Sequence, residues 1–310
     1  MKAFNATPMQ WRIMEALLIF RYLTPEQIRD LGISININNI RQSGLKPLIK
    51  NKPSMLEAKR FISRKGRPLP MVVALNKNSI ELLADELRVH PDTLRYPKGG
   101  IQYNRDAEHR SATIDCHIRM CQWATKVGAN IDLAHLYFDK IGAQKITKGG
   151  EVPVTKIELG PAKNDTIEPD SIFGISLAGE RLIYALEMHC FPDTGRIADQ
   201  LIKHGRALQK GAIAQKYGNY SAHLVLSVHE NSVTFDRVRA RLMGYPGFAP
   251  YKGFFLFNTL EQVRSDISKG WVLADGTPFE PFPVPEAEPD VQPASQIFHH
   301  NAAAIAASPG

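Results

Sequence analysis

Cysteine is scarce: three residues in 310, Cys116, Cys121 and Cys190. They form neither a disulfide framework nor a CxxC knuckle, so a reducing cytoplasm is the expected compartment. Long apolar runs are also missing. No stretch approaches the ~18 residues a membrane span needs. The apolar opening "MKAFNATPMQWRIMEALLIFRYL" is interrupted by Gln10, Arg12 and Glu15, which argues against a signal peptide and against membrane partners. There is no internal repeat. His109, His117 and His135, spaced by eight and eighteen residues, match no zinc pattern and read as core or solvated histidines.

What remains is an ordinary globular composition, 44% hydrophobic and 22% charged, long enough for two domains. The net charge of +7 is unevenly spread. Residues 1–105 carry 18 Lys/Arg against 8 Asp/Glu, and the remainder carries 20 against 23. All of the positive excess therefore lies in the first third, the mark of a module that binds a polyanion.

That module reads as three helices, a hairpin and a helix. Thr7-Pro8 and Thr24-Pro25 are start signals, and Gly32 stops the second helix. Trp11, Met14, Leu17, Leu18 and Phe20 or Tyr22 fall at near-helical spacing on the first. The third, capped by Ser34, has Ile37, Ile40, Leu45, Leu48 and Ile49 for an inner face. Its outer face carries Asn38, Asn39, Arg41, Gln42, Lys46 and Lys50, and Pro47 ends or kinks it. "MLEAKRFISRKGRPLPMVVALN" is a hairpin around Lys65-Gly66-Arg67, and "SIELLADEL" closes the unit. This is the order of a winged helix-turn-helix over residues 1–98, with double-stranded DNA as the expected partner. Asn, Arg and Gln on the third helix suit base edges, while Arg64, Lys65 and Arg67 on the wing suit phosphates. Nine basic residues and one acid, Glu57, lie between Arg41 and Arg67.

A Pro-, Gly- and charge-rich linker precedes residues 106–275, where strands alternate with helices: an α/β unit with a mixed central sheet, making the whole chain α+β. "LAHLYFD", "VPVTKIEL", "YSAHLVLSV" and "KGFFLFNTL" read as strands. "HRSATIDCHIRMCQWATKV", "TGRIADQLIKHGRALQK" and "SVTFDRVRARLM" read as helices. Residues 280–310 read as a disordered Pro-rich tail whose deletion from 284 onward should leave stability unchanged.

Between them, "IEPDSIFGISLAGERLIYALEMHCF" is a hairpin. A two-residue turn at Ala178-Gly179 pairs Leu177 with Glu180 and hence Asp170 with Glu187, and places His189 on the same face. That face need not be apolar, because the other carries Phe173, Ile175, Leu177, Leu182, Tyr184, Leu186 and Met188. Two opposed carboxylates suit a hard divalent cation, Mg²⁺ or Mn²⁺, with Asp170 and Glu187 as ligands. His189 would be a further ligand or would orient a water. On this reading, removing either carboxylate relieves repulsion and leaves the fold intact.

Pro169-Asp170 and Glu187-Met188-His189 resemble the PD-(D/E)XK nuclease signature, with His189 where Lys is usual. The resemblance implies a restriction-endonuclease-like domain with Asp170, Glu187 and His189 catalytic. Lys203, Arg206 or Lys210 on the following helix would supply the missing cation. The winged-helix order ending in "ALNKNSIELLAD", the helix opening at "EHR", then "PDSIF" and "YALEMH", is similar over roughly residues 7–260 to the replication-relaxation family. That family is associated with plasmids and mobile elements and includes relaxases that nick at a transfer origin. The position of His189 is commonly acidic there. The resemblance implies a plasmid or mobile-element DNA-binding protein. It would be either a metal-dependent nickase or a non-enzymatic factor with an inactive nuclease-like domain, working with transfer or replication proteins, and a homodimer is allowed. A second relaxase class, with a His-hydrophobic-His triad and a Tyr nucleophile, finds no counterpart. His299-His300 lies in the tail, and Tyr217 and Tyr220 read more simply as packing residues than as nucleophiles or base-stacking groups.

Overall fold

The computed structural model describes residues 4–101, 106–141, 152–162, 164–218, 220 and 223–282. The chain is mixed α+β and divides into two compact units inside one long helix, between Ile118 and Arg119.

In the first unit both predicted start signals form reciprocal caps. In α1 (Pro8–Phe20), Thr7 Oγ1 accepts from the Gln10 N–H while Gln10 Oε1 accepts from the Thr7 N–H at 3.0 Å. Thr24 and Gln27 repeat the arrangement at α2 (Pro25–Asp30). The third segment is helical from α3 (Ile37–Asn39) through a π-helical stretch (Ile40–Leu45) into α4 (Lys46–Lys50). Pro47 therefore does not end it. Proline cannot donate and crowds the preceding turn, and it sits at the start of α4, just after the widened π turn. Ile40, Leu45 and Leu48 are buried.

Strands β1 (Leu56–Lys59) and β2 (Val72–Leu75) pair antiparallel. The predicted turn follows, with the Gly66 N–H donating to the Ser63 carbonyl and the Ser63 N–H to the Arg67 carbonyl. Leu23 bridges to Val73, adding one rung to the hairpin. Helix α5 (Lys77–Leu87) is capped by Asn76. The first part of α6 (Ala107–Val127) is held to this unit by Gln27, whose Nε2 reaches the Ser111 carbonyl at 3.1 Å and Asp115 Oδ1 at 2.7 Å. His117 is buried edge-on against Phe20 at 4.8 Å, a core histidine.

The second unit continues from the end of α6 into β3 (Asn130–Leu136). Short pieces follow: β4 (Lys140–Ile141), β5 (Val152–Pro153), β6 (Ile157–Glu158) and β7 (Thr166–Ile167). "VPVTKIEL" is thus two pieces rather than one strand. Pro153 cannot donate to a continuing ladder, and the chain turns there, the Lys156 N–H bonding the Pro153 carbonyl. Then come β8 (Ser171–Leu177), β9 (Glu180–His189), α7 (Thr194–Lys210), α8 (Ala212–Tyr217), β10 (Leu224–His229), α9 (Ser232–Met243), β11 (Phe255–Thr259), α10 (Leu260–Ser265) and β12 (Val272–Leu273).

The main sheet has the order β12-β11-β10-β9-β8-β3. β3, β8 and β9 form an antiparallel meander, β9, β10 and β11 run parallel, and β12 returns antiparallel. Parallel neighbours need crossover connections, here α7 and α9. Both helices pack in one cluster against Val225, Phe255 and Phe257 through Ile197, Leu201, Val238 and Leu242. Among the described residues no helix is long and apolar enough to cross a membrane.

Residues 283–310, most of the expected tail, lie outside the described residues. Its first residues do not match that expectation, because Phe282 is buried against Trp123, Tyr184 and Trp271. Its aromatic ring offers the apolar surface that the surrounding prolines lack. The Tyr184 hydroxyl donates to the Pro281 carbonyl at 2.7 Å. Tyr184→Phe should therefore lower the unfolding free energy by about 1 kcal/mol, the ordinary worth of one buried hydrogen bond. An unchanged denaturation midpoint would show that residues 281–282 are not held there.

Candidate functional site

All nine residues expected to contact DNA are exposed in the first unit: Asn38, Asn39, Arg41, Gln42, Lys46 and Lys50, with Arg64, Lys65 and Arg67 on the hairpin. The Asn36 side chain accepts from the Asn38 and Asn39 N–H groups and fixes the start of the third segment. Two of the cations have side-chain partners in the protein, and Asn39 Nδ2 lies 3.9 Å from Met9 Sδ. Arg41 Nη2 lies 2.8 Å from Glu26 Oε1, and Lys46 Nζ lies 3.1 Å from Gln42 Oε1. Both contacts are solvent-exposed and worth a few tenths of a kcal/mol, so a phosphate or base edge can replace them.

In the second unit the turn residues Ala178 and Gly179 have φ of 51° and 85°, a two-residue connection of the type that matches strand twist. Leu177 pairs with Glu180 and Ser171 with Leu186, so Asp170, one residue before β8, continues opposite Glu187. The expected register holds. Asp170 Oδ2 accepts from the Met188 N–H at 2.7 Å, standing in for a backbone carbonyl where the ladder runs out. On the far side, β10 sets Ser227 opposite Glu187 and His229 opposite His189.

The face carrying these residues is not open to solvent, as expected for parallel strands with helical crossovers. Asp170, Glu187 and His189 are all buried, Glu187 completely. Glu187 Oε1 lies 2.6 Å from His204 Nε2, and its Oε2 accepts from Gln200 Nε2; both partners come from α7. Burial, then the nearby charges of Asp170 and Glu168, hold the Glu187 carboxyl well above its usual range. Burial, then His223, holds His204 well below the usual imidazole range. Both directions favour a neutral pair in which the Glu187 O–H donates to His204 Nε2. In that state the Asp170 charge, itself one cause of the upward shift, acts on a protonated acid, and removing Glu187 takes away the His204 and Gln200 hydrogen bonds as well as any repulsion.

Three further buried histidines, His189, His223 and His229, belong to the same region. His189 and His229 lie 4.7 Å apart by ring centroid, and His204 and His223 lie 5.8 Å apart. His229 Nε2 is 2.8 Å from Ser227 Oγ, and burial pushes His223 and His229 each down to about 3. Gln200, His204, His223, Ser227 and His229 were not singled out from sequence. For Gln200 and His204 the available signal was their i, i+4 spacing on the helix after the hairpin.

The three cations expected to replace a catalytic Lys lie elsewhere. Lys203 Nζ reaches the Thr166 carbonyl at 3.4 Å, Arg206 pairs with Asp165 at 2.7 Å, and Lys210 donates to the Leu159 carbonyl. Together with Lys216 and Tyr217, which bond the Val154 carbonyl, they tie α7 and α8 to residues 154–166. Tyr217 is thereby a packing residue, its phenol pushed up by burial. Tyr220 stacks beneath Arg181 at 4.8 Å.

As arranged, both oxygens of Glu187 and one of Asp170 are engaged by protein partners, so a divalent cation between the carboxylates would have to displace Gln200 and His204. No family model, curated protein or solved structure matches the chain.

Proposed function

We propose that the protein binds double-stranded DNA through its first unit, acting as a winged helix, and that its second unit is a nuclease-like domain without cleavage activity in this arrangement. The observation that carries the reading is exposure: the third helical segment and the hairpin turn each present their polar and basic side chains to solvent. There, Asn and Gln amides lie among Arg and Lys with little opposing charge. Three helical segments, a hairpin joined by Leu23 and a closing helix support the winged-helix assignment. The resemblance to the replication-relaxation family makes a plasmid or other mobile-element site the expected target, with transfer or replication proteins as further partners.

Substituting Arg64, Lys65 and Arg67 together by Ala should weaken binding to all duplexes alike, because phosphate contacts carry no sequence information. Arg41→Ala should in addition flatten the preference among sequences. Fluorescence anisotropy with a panel of labelled duplexes reads both effects. Binding by the triple variant equal to wild type would remove the hairpin from the interface.

Metal-dependent nicking is the second reading, favoured by the opposition of Asp170 and Glu187 across adjacent strands. It requires α7 to release Glu187 from Gln200 and His204. Supercoiled plasmid carrying a bound site, incubated with Mg²⁺ or Mn²⁺, should stay supercoiled on the first reading. Relaxed circles that disappear with Asp170→Ala would establish the second.

A further inference from the structure

We propose that the first unit prefers A·T-bearing duplex, with Ile35 packing on the C5 methyl of thymine and Asn38 holding the adenine edge beside it. This rests on the duplex-DNA reading of the same unit and adds the base composition that the face selects. The two most exposed large hydrophobic residues of the unit are Ile35, 94% exposed, and Ile62, 68% exposed. Neither sits at random. Ile35 immediately precedes the third helical segment, and Ile62 lies on the hairpin two residues before Arg64, so each flanks part of the basic face.

Ile35 is held outward by its neighbours. The Asn36 N–H donates to Ser34 Oγ at 3.3 Å, and Asn36 Oδ1 accepts from the Asn38 and Asn39 N–H groups at 2.9 and 3.2 Å. The chain on both sides of Ile35 is thus fixed by side-chain caps while its own side chain meets water. An aliphatic group presented this way among amides and cations suits a partner that is anionic overall yet offers a small apolar spot. In the major groove only thymine offers one, its methyl group, and adenine pairs with thymine. The side chain of Asn38 makes no intramolecular hydrogen bond among the described residues, and an Asn amide is the bidentate complement of adenine N6 and N7. Asn38 lies three positions after Ile35 in the chain.

The full-length protein is titrated against three labelled 30-base-pair duplexes: alternating dA·dT, the same sequence with uracil for thymine, and alternating dG·dC. Uracil removes only the methyl group. Wild type should bind the thymine duplex about four-fold more tightly than the uracil duplex, the worth of one buried methyl. Ile35→Ala should bind both equally, with unchanged circular dichroism because the side chain is exposed. Asn38→Ala should lose about five-fold of the A·T preference over G·C, the low end of a bidentate base contact. Equal wild-type affinity for the thymine and uracil duplexes, with salt-sensitive binding to all three, would overturn this inference and leave the DNA reading standing. Absence of salt-sensitive binding to any duplex would overturn both.

Discussion

Glu187→Ala is expected to lower the unfolding free energy by about 4 kcal/mol, whereas Glu187→Gln should cost less than about 1 kcal/mol. Glu187 is completely buried, and its two oxygens face Gln200 Nε2 and His204 Nε2. Alanine leaves both partners without their hydrogen bonds, each at about 1–3 kcal/mol, and opens a cavity beneath α7. Glutamine preserves the shape. Its amide N–H₂ donates to His204 Nε2 and its carbonyl accepts from Gln200, the same pattern a protonated carboxyl makes. Chemical denaturation of the three proteins at pH 7 distinguishes this neutral pair from an ion pair. If Gln is as damaging as Ala, Glu187 is held as a charged carboxylate and the neutral pair is wrong.

Stability should also fall by on the order of 3 kcal/mol between pH 7 and pH 5. Burial lowers the folded-state pKa of His223 and His229 to about 3 and moves His204 in the same direction. The unfolded chain, titrating near the ordinary imidazole value, binds more protons in this window, so stability falls as pH falls. His223 and His229 each contribute about 2 kcal/mol over that range, and His204 acts in the same direction. Glu187 acts oppositely: its raised folded pKa means the native state takes up the proton first, which adds stability as pH falls. Three imidazoles outweigh one carboxyl. His223→Gln should flatten the decline by about 2 kcal/mol relative to its own value at pH 7. A stability curve flat from pH 7 to 5 would mean that these rings reach solvent more easily than their burial implies.

The hairpin register was legible because it depends on local information. A two-residue turn at Ala178-Gly179 fixes every opposition back to Asp170 and Glu187 by simple alternation. Helix starts at Thr7 and Thr24 were legible for the same reason, since cap and partner lie three residues apart. The surroundings of the carboxylates were not. Gln200 and His204 reach Glu187 only because β9 and β10 are parallel, which forces the intervening helix back across the sheet. An alternating β9 pattern suggested one solvated face, yet a sheet with crossover helices buries even its polar row. The docking of Phe282 on Trp123, Tyr184 and Trp271 joins distant parts of the sequence and leaves no local pattern. Pro47 was legible in part: it does not end the segment, but the helix departs from regular α geometry in the π turn just before it.

The salt dependence of duplex binding tests the central claim most directly. Arg41, Lys46, Lys50, Arg64, Lys65 and Arg67 are six exposed cations on the proposed DNA-facing surface. If all six neutralise phosphates, the slope of log affinity against log salt for the full-length protein should be about −5, falling to about −3 when Arg64, Lys65 and Arg67 are replaced by Ala. A slope near zero, or one unmoved by the triple substitution, would contradict DNA recognition by this face.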